Sequence, residues 1–79
     1  MSYDQWKARQ DNGKVLLVYV PVGTSPEKLP ALPPKSPDKK WEFGGEVQEQ
    51  AMKLDNAELQ QAKLFIEKLG HFYQRDTTP

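Results

Sequence analysis

Cysteine is absent from these 79 residues, which excludes disulfide staples, thiolate nucleophiles and thiolate-held zinc or iron–sulfur sites. Histidine occurs once, at His71, so a zinc site would have to take most of its ligands from carboxylates. We therefore expect no metal and no cofactor. Net charge is also absent, because eleven Lys and Arg balance eleven Asp and Glu. That balance argues against a protein whose main affinity comes from displacing counterions on nucleic acid or an anionic membrane. The charge is unevenly spread: residues 1–40 carry seven basic against four acidic groups, and residues 41–79 four against seven. Halves of +3 and −3 suggest mild mutual attraction. Long apolar runs are missing as well. The longest, Val15 to Val22, is interrupted by Pro21 and is far too short to span a bilayer. The opening Met1-Ser2-Tyr3-Asp4-Gln5-Trp6 lacks the basic region and apolar stretch of a secretory signal. The expected location is cytoplasmic, with no membrane partner.

What the chain has instead is proline. Six of its seven prolines fall between Pro21 and Asp38, where neither a helix nor a central strand could hold them. Proline fixes its own φ and biases its predecessor toward extended geometry, so Leu29 to Lys35 should run extended or as polyproline II. The run divides the chain into two short foldable pieces. Together they make one small domain over residues 1–75, with residues 21–38 as an internal loop and residues 76–79 as a frayed tail. A core of this size rarely contributes more than about 3–5 kcal/mol of net stability, so a partner or a second copy would help.

The clearest strand is Lys14 to Val20, rich in β-branched and aromatic residues and closed by Pro21. It is apolar on both faces, so both should be covered, by the C-terminal helix and the N-terminal segment. Two readings compete for residues 1–13. Asn12-Gly13 is a strong hairpin signal that would make Tyr3 to Gln10 a strand. Ser2-x-x-Gln5 reads as a capping box, with Gly13 as the left-handed stop of a helix. We favour the helix. Trp6 is an anchor in both.

After the proline run, Lys39-Lys40-Trp41-Glu42-Phe43 alternates charge with aromatic, as a half-buried strand does, and Gly44-Gly45 permits a tight reversal. Beyond it, Glu46 to Lys53 could return as a strand, or Val47, Ala51 and Leu54 could form one helical face; the intervening residues are good helix formers, so we favour the helix. Asp55 with Glu58 makes a cap for the last helix, whose stripe is Leu59, Ala62, Ile66, Leu69 and Tyr73, widened by Phe65 and Phe72. Gly70 is a candidate early stop that would leave His71 to Arg75 as a looser tail. The expected fold is a small α+β domain in which a C-terminal amphipathic helix packs on a two- or three-stranded antiparallel sheet, with a long proline-rich connection.

Catalytic chemistry finds little support. No serine or carboxylate stands at a spacing that would orient His71 as a general base. Glu42, Glu46 and Glu49 gather around Gly44-Gly45 without the order of a calcium loop, and no glycine-rich phosphate loop exists. No catalytic residue is expected and the chain reads as a non-enzyme. Pro30-x-x-Pro33-x-Lys35 matches the ligand pattern read by SH3 domains. The competing reading is a stiff crossover that lays Leu29 and Leu32 on the core. The order helix, Gly13-Lys14, apolar strand resembles the opening of a thioredoxin-like unit, which the missing Cys-x-x-Cys and short chain exclude. Trp6 to Lys14 resembles three-stranded DNA-binding sheets over nine residues, too few to assign.

Short, cysteine-free chains without motifs are what one expects of accessory subunits and of the small inhibitors that phages and mobile elements encode. The leading expectation is a module that docks on a larger protein, or on a second copy as a homodimer. Its contact residues would be Leu32, Pro33, Trp41, Phe65, Phe72 and Tyr73, which supply aromatic or preordered area. The aromatics Trp6, Tyr19, Trp41 and Phe43 could make a stacking platform, and the alternative is a nucleic-acid binder whose contacts would be Trp6, Lys14, Lys39, Lys40 and Trp41.

Overall fold

The computed structural model describes residues 2–11, 13–33, 35–52 and 54–75. Four strands form one antiparallel sheet: β1 (Ser2–Arg9), β2 (Val15–Pro21), β3 (Glu42–Gln48) and β4 (Phe72–Arg75), in the spatial order β3-β1-β2-β4. One helix, α1 (Asn56–Leu69), separates β3 from β4 in sequence. The result is a small α+β fold, with four strands where two or three were expected.

The additional strands come from segments with weak local signals. Residues 1–13 were expected to be helical, yet Ser2–Arg9 is a central strand that pairs with β2 on one side and β3 on the other. Its hairpin with β2 closes through Gln10 N–H to Lys14 O at 2.7 Å and Gly13 N–H to Gln10 O at 3.0 Å. Gly13 sits at φ +83°. An isolated helix of this length is marginal in water, whereas two flanking strands satisfy both backbone edges of β1. Ser2, read as a helix cap, instead stands opposite Gln48.

Gly44-Gly45 does not reverse the chain. β3 runs straight through both residues, and its register against β1 shifts between Gln5, opposite Gly45, and Trp6, opposite Phe43. Gly44 is therefore the extra residue of a β-bulge. The helix expected over Val47, Ala51 and Leu54 is absent too. Val47 belongs to β3, and Glu49–Met52 is a short 3-10 turn that buries Met52.

The cap of α1 is as expected: Asp55 Oδ1 accepts from the Glu58 N–H at 2.8 Å. Gly70 ends the helix in the left-handed region at φ +85°, its N–H donating to Ile66 O at 2.9 Å. The helix thus stops at Leu69, short of Tyr73. Phe72–Arg75 is not a looser tail but a strand, with Phe72 opposite Tyr19 and Tyr73 opposite Val18. The frayed tail expected at residues 76–79 lies outside the described residues.

Alternation along the strands sorts the core into two layers. On one face Tyr3 and Tyr19 pack with Met52 and Ile66, supported by Leu17, Val47, Leu59 and Phe72. On the other, Ala8, Val18 and Val20 pack with Trp41, supported by Trp6, Leu16, Leu29 and Leu32. The second cover is thus the proline-rich run, not the N-terminal segment, which is itself part of the sheet. Leu29 and Leu32 do lie on the core, as the stiff-crossover reading required.

That run is pinned rather than loose. Asp38 accepts from the Arg9 backbone N–H at 2.7 Å through Oδ2 and from Arg9 Nη2 at 3.0 Å through Oδ1. The Ser36 hydroxyl donates to Arg9 O at 2.6 Å and accepts from the Asp38 N–H at 3.1 Å. Trp41 Nε1 donates to Pro30 O at 2.8 Å. The ion pairs Arg9–Asp38 and Lys63–Glu49 each join groups within one half of the chain, rather than the oppositely charged halves.

Candidate functional site

Because the proline-rich run crosses one face of the sheet without covering all of it, a groove of about 580 Å³ remains between run and sheet. Trp6 and Phe43 form its sheet-side wall, and Pro26, Leu29, Pro30 and Leu32 form the opposite one. Lys39, Lys40 and Glu42 stand at the end where the run rejoins β3, with Trp41 beneath them. Trp6 and Phe43 are cross-strand partners flanking the bulge, their ring centroids 4.9 Å apart at 61°. Phe43 keeps 53% of its surface exposed. The Trp6 indole N–H is buried and finds no acceptor among the described residues.

The groove gathers four of the five residues expected of a nucleic-acid surface: Trp6, Lys39, Lys40 and Trp41. Lys14 is elsewhere, in the β1–β2 turn. Trp41 contributes less surface than expected, since its ring is buried and its donor is committed to Pro30. Phe43 completes the wall. Its alternation with Trp41 marked it as a strand residue, but its pairing with Trp6 depends on a register invisible in one segment.

A second concave surface, about 260 Å³, lies at β4 and is lined by Phe65, Leu69, His71, Phe72 and Tyr73. The left-handed stop at Gly70 folds the chain back so that β4 runs beside the end of α1. Phe65 stacks on Phe72 with centroids 6.1 Å apart at 27°, and His71 meets Tyr73 edge-on at 5.0 Å. Phe65, Leu69 and Tyr73 remain 44%, 62% and 40% exposed. Burial pushes the Tyr73 hydroxyl above its usual pKa of 10.0.

The six residues expected at a docking surface therefore separate. Phe65, Phe72 and Tyr73 meet at the β4 cleft, whereas Leu32 and Trp41 line the groove. Pro33 is buried, and its carbonyl accepts from Ser36 N–H at 3.1 Å. Burial of Pro33 and use of the Pro30 carbonyl also place the SH3-type pattern against its own sheet. Leu69 reads as core from its spacing, yet among the described residues it is the most exposed of the large apolar side chains, because the helix rests on Ala62 and Ile66.

The two edges of the sheet differ. β3 carries exposed Glu42 and Glu46 and a bulge, features that discourage strand addition. β4 is the other outer strand, with apolar surface on both of its sides and Arg75 as its one charged residue. Among the described residues no group of three His, Asp or Glu could hold a metal ion, and no helix is long and apolar enough to cross a membrane. No family model matches the chain, and no curated protein or solved structure is significantly similar to it.

Proposed function

We propose that this chain is a non-enzymatic protein-binding module, a small accessory subunit or inhibitor that docks on a larger protein through the outer edge of β4. The observation that carries this reading is the apolar surface on both sides of that edge: Phe65 and Leu69 flank Phe72, and His71 accompanies Tyr73. An added strand points successive side chains to opposite faces. An extended partner segment with apolar residues on both faces would fill the two sides at once, its backbone pairing with β4. Trp41 and Leu32 take no part in this contact, since they lie in the groove.

The test compares the chain with Leu69→Glu and with Leu64→Glu as immobilised baits in host lysate, followed by hydrogen exchange on the recombined complex. Leu64 is also exposed but does not line the cleft. The reading expects a partner that Leu64→Glu retains, that Leu69→Glu loses, and that slows exchange of the Phe72–Arg75 amides. A partner indifferent to Leu69→Glu would overturn it. So would concentration-dependent dimerisation that Leu69→Glu abolishes, since the occupant would then be a second copy.

A further inference from the structure

We infer that the groove between the proline-rich run and the sheet is a separate binding site for a short single-stranded nucleic acid, with a base stacked on Phe43 and adjacent phosphates on Lys39 and Lys40. Three observations converge. The groove's volume of about 580 Å³ falls in the ~300–1,000 Å³ range of ligand sites. In an edge-to-face pair Phe43 has at least one ring face turned away from Trp6, and its 53% exposure leaves that ring open to stacking. Lys39 and Lys40 are both exposed and line the groove, so a backbone lying along it meets two cations.

The same residues disfavour the rival occupants. A polyproline peptide would need a tryptophan donor for its carbonyls, but Trp41 already donates to Pro30 and the Trp6 indole N–H is buried out of reach. An acidic peptide would use the lysines but would leave the Phe43 ring without a stacking partner. Glu42 at the rim and the zero net charge limit the attraction, so the site would hold its ligand by stacking supplemented by a few phosphate contacts. Such binding tolerates sequence, because every base has a π-face.

The two tryptophans of the chain both line the groove, so their intrinsic fluorescence reports occupancy directly. The experiment titrates the full chain with a short oligothymidylate and, separately, with an oligoglutamate peptide, across a salt series. The expected result is saturable quenching by the oligothymidylate, with log K falling against log salt at a slope of about −1.4 for two phosphates on a single strand. Lys39→Gln and Lys40→Gln would each flatten that slope by about 0.7. Phe43→Ala would weaken binding by about 5- to 150-fold, the usual worth of one stacked base. Leu69→Glu would bind as the parent does, which separates this site from the β4 cleft. Absence of quenching overturns the inference, as does equal affinity for oligoglutamate, a slope near zero, or unchanged binding by Phe43→Ala with its fold intact by circular dichroism. Loss of binding by Leu69→Glu would also overturn it.

Discussion

Trp41 donates its indole N–H to the carbonyl of Pro30 at 2.8 Å, so the proline-rich run is held down by the residue that ends it. The ring lies in the same layer as Ala8, Val18 and Val20 and ties eleven residues of connection to the sheet. Trp41→Phe removes the hydrogen bond and keeps most of the ring, and should cost about 1 kcal/mol. Trp41→Ala also empties the site and should cost about 3–5 kcal/mol. Urea midpoints at constant slope would resolve the two. Equal losses would mean that the hydrogen bond, not the ring, anchors the run.

Asp38 gives the fold an acid-sensitive clasp. Its carboxyl is held below the ordinary value of 3.8, chiefly by the Arg9 backbone N–H and then by the Arg9 guanidinium. With a depressed folded pKa, the stabilisation is present above 3.8 and is lost as pH falls through the folded value. Melting temperatures of the parent and Asp38→Asn should therefore differ at neutral pH and converge as pH drops below 3.8. Added salt should change the neutral difference little, because the dominant contact is to backbone and the exposed ion pair adds little.

Asp55 both caps α1 and perturbs Glu58. Asp55→Ala loses the acceptor for the Glu58 N–H and should cost about 1 kcal/mol. Asp55→Asn keeps an acceptor and should be near neutral. The Asp55 charge raises the Glu58 carboxyl above 4.5, so the folded state binds the extra proton and stability falls as pH rises from 4.5 through the folded value. In Asp55→Asn an NMR titration should find Glu58 moved back down toward 4.5.

The bulge in β3 rests on two glycines for different reasons. Gly45 has φ +104°, so Gly45→Ala should cost about 1–2 kcal/mol through backbone strain. At Gly44 an added Cβ would lie 2.7 Å from Gln5 Oε1 and 3.2 Å from Gln5 O. Gly44→Ala should therefore be partly relieved by Gln5→Ala, whereas Gly45→Ala should not. Chemical denaturation of the two double variants checks this.

Several features were legible locally because their causes act within a few residues. The composition of β2 marked a strand and Asp55 and Glu58 marked the start of α1, whereas the stripe read on to Tyr73 overran the helix end, for which Gly70 was only an alternative. Of the two readings offered for the proline run, the stiff crossover that returns Leu29 and Leu32 to the core is the one the structure follows. Residues 1–13 were misread because a capping box and a hairpin turn are both local signals of similar strength, and only pairing with β2 and β3 separates them. Gly44-Gly45 presented the same difficulty: the pair suits a reversal or a bulge, and the neighbouring strand decides. The candidate sites were half visible. Trp6, Lys39, Lys40, Trp41 and Phe43 could be grouped by chemistry, but the pairing of Phe43 with Trp6 and the exposure of Leu69 were decided by register and helix rotation.

The sequence by itself determined the α+β character, the apolar strand, the capped helix and the stiffness of the connection, since these follow from φ preferences, side-chain capping and periodicity. Tertiary structure alone decided that β1 is central, that β4 is a strand, and that the proline run covers one face while α1 covers the other. The physical reason is loop closure: pairing Phe72 with Tyr19 or Trp6 with Phe43 orders a long stretch of intervening chain, a cost that no local preference offsets and that only the assembled two-layer core repays.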